Sequence, residues 1–269
     1  MILRSQFYFI IIFIRVGFAA FENTGAGAEP LALGNAMVAF RSNPYAIYYN
    51  PAHITLAQQP LIGFCYRTFF GLSSPRQMNL LINHRIDRFP FSVSLNQLGD
   101  KNYQETQLQL GTSFTFRDKI SMGLSLSLYY LNIHDYSSSI TCGINLGFYY
   151  PLNDQFALGV LISNLNQPKF STIEEKLPQV YALGFCYCPQ EKMTFCFELF
   201  RDVKYEQDYR AGVLLQIKPG FSVKLGLEDK SNTYSLGLGL TIGTIRFDFA
   251  ALLHNILGLS NVTSIQIPL

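Results

Sequence analysis

Apolar and polar residues alternate along most of this chain. Between residues 120 and 130 one face carries large apolar side chains and the other mainly serine and glycine, and residues 234–242 repeat the pattern. A period of two indicates β-strands with one apolar face. From Leu61 onward it predicts about fourteen strands. They are centred near Phe64, Leu80, Val93, Leu110, Leu126, Leu146, Val160, Leu183, Phe197, Val213, Leu225, Leu238, Phe247 and Ile265.

The charged residues of these segments share the polar face. They are Arg67, Arg85, Glu198, Arg210, Lys224, Glu228, Arg246 and Asp248. The rest of that face is mostly Ser, Thr, Gly, Asn and Gln, whereas the outer face of a water-soluble sandwich would be rich in Lys and Glu. A charge at the bilayer midplane costs about 2–4 kcal/mol. The distribution therefore predicts a transmembrane barrel with a polar lumen and an apolar outer wall.

The connections between the predicted strands are alternately short and long. Short turns are expected at residues 86–88, 117–119, 151–155, 189–192, 218–220 and 243–244. Longer ones are expected at residues 97–102, 132–138, 164–178 and 201–208, with 164–178 as the main extracellular loop. Outer-membrane barrels show this asymmetry, and an open sheet edge in lipid would leave unpaired backbone groups. The predicted fold is all-β, a closed antiparallel barrel of about 14 strands whose last segment pairs with the first.

The N-terminus has the features of a secretion signal. Arg4 precedes an apolar stretch over residues 7–14, and residues 17–19 form a small-x-small cleavage site. We expect a signal peptide over residues 1–19, with an uncleaved anchor as the alternative. Its removal takes away Arg4 and Arg15, and with them the net charge of +2, so no basic excess remains to bind nucleic acid. The expected location is the outer membrane of a Gram-negative cell.

Catalytic and metal-binding motifs are missing from the sequence. It contains no G-x-S-x-G, no H-E-x-x-H and no Walker loop. The five cysteines are scattered and odd in number, and no histidine lies near Cys186 and Cys188 in the sequence. We therefore predict that the cysteines are packing residues, and that the protein is not an enzyme and uses neither a cofactor nor a metal.

Residues 20–59 do not alternate, and they are too long to be a mere tail. Residues 31–39 read LALGNAMVA and residues 46–52 read AIYYNPA. These two stretches resemble the N-terminal region of the PorV/PorQ proteins, a branch of the FadL-like outer-membrane barrels. The resemblance covers roughly the first thirty residues after the signal peptide. The rest of the chain agrees with the family in its strand rhythm.

The resemblance implies a fourteen-stranded barrel, here residues 60–269, with residues 20–59 folded into the lumen as a hatch. We call residues 20–59 the hatch segment. Its motif residues are Leu33, Gly34, Asn50, Pro51 and Ala52. Asn50 can bond backbone groups in a turn and Pro51 fixes φ. The alternative is that Asn-Pro-Ala simply begins a helix.

Six inward charges come from consecutive or nearly consecutive strands and could form a network of ion pairs. They are Glu198, Arg210, Lys224, Glu228, Arg246 and Asp248. Such a network could hold the hatch segment, or it could line a path and select what passes.

Three functions remain open. The first is a FadL-like barrel that binds or passes a hydrophobic small molecule from the outer leaflet. The second is an accessory of type IX protein secretion that holds secreted cargo. The third is a structural barrel without transport. The expected partners of the protein are outer-membrane lipid and, for the first two functions, the hydrophobic small molecule or the secreted cargo.

Overall fold

The computed structural model describes residues 20–22, 24–41, 43–56, 59–117, 119–170 and 176–269. The signal peptide expected over residues 1–19 lies outside them. Fourteen strands form within the described residues, and every predicted centre falls inside one. They are β1 Leu61–Thr68, β2 Arg76–Ile86, β3 Phe89–Gly99, β4 Tyr103–Phe116, β5 Ile120–Ile133, β6 Ser137–Pro151, β7 Phe156–Ser163, β8 Val180–Gln190, β9 Met193–Asp202, β10 Asp208–Lys218, β11 Phe221–Glu228, β12 Thr233–Ile242, β13 Ile245–His254 and β14 Gly258–Pro268.

The strands close into one antiparallel barrel in which each strand pairs with its neighbours in the chain. The seam joins β1 to β14, from Leu61 opposite Pro268 to Thr68 opposite Asn261. Closure gives every strand two partners, so no sheet edge is left unpaired in lipid. The predicted fold class, including the pairing of the last strand with the first, is confirmed.

The two faces of the wall differ as the alternation predicted. In β5, Leu124, Leu126 and Leu128 are exposed on the outer face, while Ser125 and Ser127 are buried inside. Exposed apolar side chains continue around the barrel, and an apolar surface of that extent on a single chain needs a partner such as lipid. The barrel is therefore built to span a membrane.

Tyrosines mark one edge of the apolar outer surface. Tyr181, Tyr209 and Tyr234 are each the second residue of their strand, all at the end of the barrel that carries the longer loops. Their side chains are exposed. Tyrosine is favoured at membrane interfaces because its ring is apolar and its hydroxyl is polar.

The connections follow the predicted asymmetry in part. The short turns lie at residues 87–88, 117–119, 152–155, 191–192, 219–220 and 243–244. At the other end the long connections are residues 69–75, 164–179 and 203–207. The loops predicted over residues 97–102 and 132–138 are shorter than expected, because their polar residues continue the strands. For example, Asn132 pairs with Ser138 and Ile133 with Ser137.

The hatch segment lies inside the barrel. It contains helix α1 (Ala28–Ala32), helix α2 (Ala46–Tyr49) and a 3₁₀ helix (Pro51–Leu56). Helix α1 contacts β11 to β14, and the 3₁₀ helix contacts β3 to β6. Among the described residues, no helix has the length and apolar character needed to cross a bilayer.

The core of the molecule is the interface between the hatch segment and the wall. Leu31, Met37 and Tyr45 of the hatch segment pack in one buried cluster with Leu81 and Val262 of the wall. Burying a side chain of this size contributes roughly 1.5–3 kcal/mol. Apolar packing therefore fixes where the hatch segment lies, and polar contacts set its orientation.

Candidate functional site

Four charged side chains surround helix α1 on one side of the lumen. Glu29 of α1 is buried, and its Oε1 lies 2.6 Å from Nη2 of Arg246 and 3.5 Å from Nζ of Lys224. Asp248 contacts the same two cations, with its Oδ2 2.9 Å from Nε of Arg246. The two positive and two negative charges balance. Buried ions are tolerated when they are paired in this way.

A second charged group lies on β9 and β10. The guanidinium of Arg210 is 2.8 Å from Oδ2 of Asp208 and 3.5 Å from Oε1 of Glu198. It also stacks over the Phe200 ring, with 3.6 Å between the guanidinium carbon and the ring centroid. Arginine suits such a position because its planar fork can bind carboxylates and stack at once. These contacts hold the Glu198 carboxylate in a fixed place.

Two glutamates of the wall, Glu198 on β9 and Glu228 on β11, bind the hatch segment directly. Oε2 of Glu198 accepts hydrogen bonds from the backbone N–H groups of Met37 and Val38, both at 2.9 Å. Oε1 of Glu228 accepts one from Nδ2 of Asn35 at 2.9 Å. Hydrogen bonds to a charged group contribute about 1.5–3 kcal/mol each. The wall therefore holds residues 35–38 through carboxylates.

The six predicted charges do not form one continuous row. Lys224, Arg246 and Asp248 belong to the group around α1, and Glu198 with Arg210 to the other. Glu228 bonds the hatch segment between them. Among the residues that the structure describes, no ion pair within 4.0 Å links the two groups.

Two of the predicted motif residues, Leu33 and Gly34, touch the wall where it carries glycine. Gly34 has φ +59°, and a side chain there would meet the backbone oxygen of Leu227 at 2.6 Å. A side chain on Gly212 would meet the backbone oxygen of Leu33 at 2.5 Å. The backbones of the hatch segment and the wall therefore approach too closely for any Cβ.

Asn50, Pro51 and Ala52 form the other attachment. Asn50 is fully buried, and its Nδ2 donates to the backbone oxygens of Val38 at 2.7 Å and Phe148 at 2.9 Å. Its Oδ1 accepts from the N–H of Ala52 at 3.0 Å. One amide thus ties the start of the 3₁₀ helix to the rest of the hatch segment and to β6. Both readings of Asn-Pro-Ala apply, since the motif begins a helix and also contacts the wall.

His53 follows this motif and is almost completely buried. Neither ring nitrogen has a hydrogen-bond partner in the described residues, and the ring stands edge-on to Tyr149 at 4.8 Å between centroids. Burial lowers the pKa of His53 from 6.5 to about 3. His53 is therefore neutral at ordinary pH and packs as an uncharged ring.

A small cavity lies between the beginning of the hatch segment and the wall. Its volume is about 70 Å³, and most of its lining is polar. Phe21 and Tyr48 line it from the hatch segment, and Asn96, Gln107 and Tyr129 from the wall. A larger apolar groove of about 560 Å³ is lined by outward residues such as Phe64 and Phe249. That groove faces the acyl chains of the membrane, whereas the small cavity lies inside the lumen.

Some residues of this site were not predicted from the sequence. Glu29 and Asp208 complete the charged groups, and Asn35 bonds Glu228. The signal for Glu29 was a single charge within an apolar stretch. The prediction that all cysteines are packing residues is wrong for two of them. Cys186 and Cys196 form a disulfide, because the β8–β9 register places them opposite each other with 4.3 Å between their Cα atoms.

Solved structures of hydrocarbon transporters share this fold. The toluene transporter TbuX of Ralstonia pickettii superposes with a TM-score of 0.69 at 12% identity, over 91% of this chain and 98% of that one. The CymD monoaromatic hydrocarbon channel gives 0.70 at 14% identity, over 92% and 98%. A Pseudomonas aeruginosa FadL homologue gives 0.61 at 10%, over 89% and 97%. The fold is therefore FadL-like, and these neighbours are transporters and channels rather than enzymes.

At such low identity the likeness concerns the fold. No protein-family model matches the sequence, and no curated protein matches it. An even number of antiparallel strands in a closed barrel with an apolar outer wall is the architecture of outer-membrane proteins. The expected outer-membrane location is thereby supported.

Proposed function

We propose that this protein is an outer-membrane barrel that binds or passes a hydrophobic small molecule, with the hatch segment controlling passage. The observation that carries the proposal is a hatch segment fastened inside a FadL-like barrel by polar contacts. TbuX is described as a toluene transporter and CymD as a monoaromatic hydrocarbon channel, and both share the fold over about nine-tenths of each chain. The same kind of cargo is proposed here.

The fastening of the hatch segment suits a gate. Glu29, Asn35 and Asn50 make polar side-chain contacts to the wall, on β13, β11 and β6 respectively, and Tyr45 makes one to β1. Each can break and re-form without unfolding the barrel, whose strands pair independently of the segment. Discrete polar attachments can exchange partners, so the parts of the segment that they hold can have two positions while the apolar cluster of Leu31, Met37 and Tyr45 anchors the rest.

The test is uptake of radiolabelled toluene by Gram-negative host cells that lack their own hydrocarbon transporters. Cells that produce the protein are compared with cells that produce an unrelated barrel at the same level. Faster uptake is expected only with this protein, because lipopolysaccharide slows the unassisted entry of hydrocarbons. Glu29→Gln should change the rate, and Glu206→Gln, on an exposed loop, should not. Equal uptake by the two cell lines would refute the proposal.

The narrower PorV/PorQ resemblance stays a prediction, together with its role in holding type IX cargo. The observation that favours it is the AIYYNPA stretch, whose Asn50 is fully buried and bonded to the wall. Deleting the gene should then release a secreted cargo from the cell surface while toluene uptake is unchanged. If neither uptake nor surface attachment changes, the barrel has a structural role.

A further inference from the structure

The lumenal faces of β2 to β6 carry neutral hydrogen-bonding side chains, whereas those of β9 to β13 carry the charges. We call this set the neutral wall: Asn79, Ser94, Asn96, Gln109, Ser127 and Asn145. Its members bond one another across strands, as from Oγ of Ser94 to Oε1 of Gln109 at 3.2 Å and from Nε2 of Gln109 to Oγ of Ser127 at 3.1 Å. Glu105 and Arg85 stand only near the two ends of these strands.

The neutral wall does not serve to fasten the hatch segment. The well-aligned hydrogen bonds of these six residues go to other wall residues and to Asn164 in the loop after β7, as from Nδ2 of Asn145 to Oγ of Ser127 at 2.9 Å. Ser94 and Asn79 also lie beside the Tyr48 hydroxyl. The charged side of the lumen, in contrast, bonds residues 29 and 35–38. On β2 and β4 other residues hold the hatch segment, namely Gln77, Asn83 and Ser113, so the six residues of the neutral wall remain available to a solute.

The cavity of about 70 Å³ lies where the neutral wall meets the hatch segment. Asn96, Gln107 and Gln109 line it from the wall, and Phe21 and Tyr48 from the hatch segment. A single water needs a cavity volume of about 10–15 Å³, so this cavity has room for a few waters or a small organic group. Among the described residues its lining contains no cation and one carboxylate, Glu22, and the rest is neutral.

Two buried polar atoms beside this cavity lack partners among the described residues. They are Oε1 of Gln77 and the hydroxyl oxygen of Tyr48, which lines the cavity and lies beside Ser94 and Asn79 without a well-aligned hydrogen bond. Nε2 of Gln77 donates to Oδ1 of the lining residue Asn96 at 3.1 Å. A buried polar group without a partner costs about 1–3 kcal/mol. A ligand that hydrogen-bonds here would recover that free energy, and a plain hydrocarbon would not.

We infer, resting on the proposed function, that this cavity binds a small neutral molecule with one hydrogen-bonding group on an apolar body, of which phenol is the simplest example. Phe21 and Val180 supply apolar contact, and the amides of Asn96 and Gln107 supply donors and acceptors. A hydrocarbon would remove water from these amides without replacing its hydrogen bonds. An anion would enter without a cationic partner among the described lining residues.

The chain contains no tryptophan, so Phe21→Trp gives a single fluorescent reporter in the cavity lining. The purified reporter protein in detergent is titrated with phenol and with toluene, which have the same size. Dissociation constants are expressed in free aqueous concentration. We expect phenol to bind about tenfold more tightly, as one net hydrogen bond of roughly 1.4 kcal/mol gives. An apolar pocket would prefer toluene.

A matched pair of variants locates the preference. Gln107 lines the cavity, donates a long bond of 3.4 Å to Ser127 and lies beside the Tyr129 hydroxyl. Because these contacts are weak, Gln107→Met should leave the fold intact and reduce the phenol preference at least threefold. Gln216→Met is the control, since Gln216 lies on β10 and bonds Lys218 near a short turn. The inference is overturned if toluene binds as tightly as phenol, if neither ligand binds, or if Gln107→Met leaves the preference unchanged.

The proposed function is judged separately, by the toluene uptake of producing cells. If uptake is faster with the protein but phenol has no advantage in the titration, this inference fails and the proposed function stands. If phenol binds preferentially but neither phenol nor toluene enters the cells faster, the cavity is a binding site and the proposed passage fails.

Discussion

Glu29 and Arg246 are joined by an ion pair of 2.6 Å that links helix α1 to strand β13. Glu29→Gln removes the negative charge and leaves Arg246 and Lys224 with only Asp248 as a counter-ion. Breaking a buried pair in this way costs about 3–5 kcal/mol. We expect a loss of roughly 3 kcal/mol in the free energy of unfolding in urea, and more frequent open events in planar-bilayer recordings.

The exposed Glu206 provides the control for that experiment. Glu206→Gln should leave both the unfolding free energy and the current record within error of the parent protein. If Glu29→Gln gives the same result as this control, the ion pair does not hold the hatch segment.

Gly212→Ala tests the close approach between the hatch segment and β10. The added methyl group would meet the backbone oxygen of Leu33 at 2.5 Å, and backbone cannot move aside as a side chain can. We expect Leu33 and Gly34 to be displaced, and the free energy of unfolding to fall by about 1–3 kcal/mol, as is typical of overpacking. Gly111→Ala is the comparison, because there the methyl group mainly meets the flexible ends of Ile54 and Ile47. A larger loss for Gly111→Ala than for Gly212→Ala would contradict this account.

Asn50→Asp tests the amide that fastens the 3₁₀ helix. The introduced carboxylate would face the backbone oxygens of Val38 and Phe148, which now accept hydrogen bonds at 2.7 and 2.9 Å. At neutral pH we expect a loss of at least 2 kcal/mol, roughly that of a buried group left without its partners. The pKa of the introduced aspartate should be raised in the folded state, because only its protonated carboxyl can donate a hydrogen bond to these backbone oxygens. The variant should therefore regain stability as pH falls, and a melting temperature that does not rise relative to the parent at pH 5 would refute this.

His53 should make the protein less stable in acid. The pKa of His53 is about 3 in the folded protein and near 6.5 when unfolded. Between these two pKa values the unfolded chain binds the proton more readily than the folded protein. The contribution of neutral His53 to the free energy of unfolding is therefore complete above pH 6.5 and is lost progressively down to pH 3. The slope is at most about 1.4 kcal/mol per pH unit. His53→Phe should therefore lose less stability than the parent protein between pH 7 and pH 4.

His134 is the control for this pH series, since its side chain is 64% exposed. His134→Phe should keep the slope of the parent protein. Identical slopes for His53→Phe and the parent would show that His53 is not the group that titrates.

The sequence predicts the barrel well because alternation is a local property. Each outward leucine of β5 is separated from the next by one small inward residue, and that spacing alone defines a strand and its two faces. The ends of strands are harder to predict from the sequence, because pairing with the neighbouring strand decides whether polar residues such as Ser137 continue the strand or form a turn. Two loops were predicted too long for that reason.

For the charged groups, the sequence predicts the residues of the wall better than their partners in the hatch segment. The period of two places Glu198 and Lys224 in the lumen, but it does not say which hatch residue each will meet. Glu29 reaches Lys224 across 195 positions of sequence, and no local pattern encodes such a pairing. The disulfide depends in the same way on the relative register of β8 and β9, where a bulge between Tyr187 and Gln190 shifts the strands. Inter-strand register is a tertiary property.

The seam between β1 and β14 also constrains how the molecule is assembled. The first strand finds its second neighbour only when the last residues of the chain have arrived, as the pairing of Leu61 with Pro268 requires. The segment that ends just before β1 is by then surrounded by wall on every side. Its contacts with β3 to β6 and with β11 to β14 are all in place only when the sheet has closed, so closure of the barrel and burial of the hatch segment are linked.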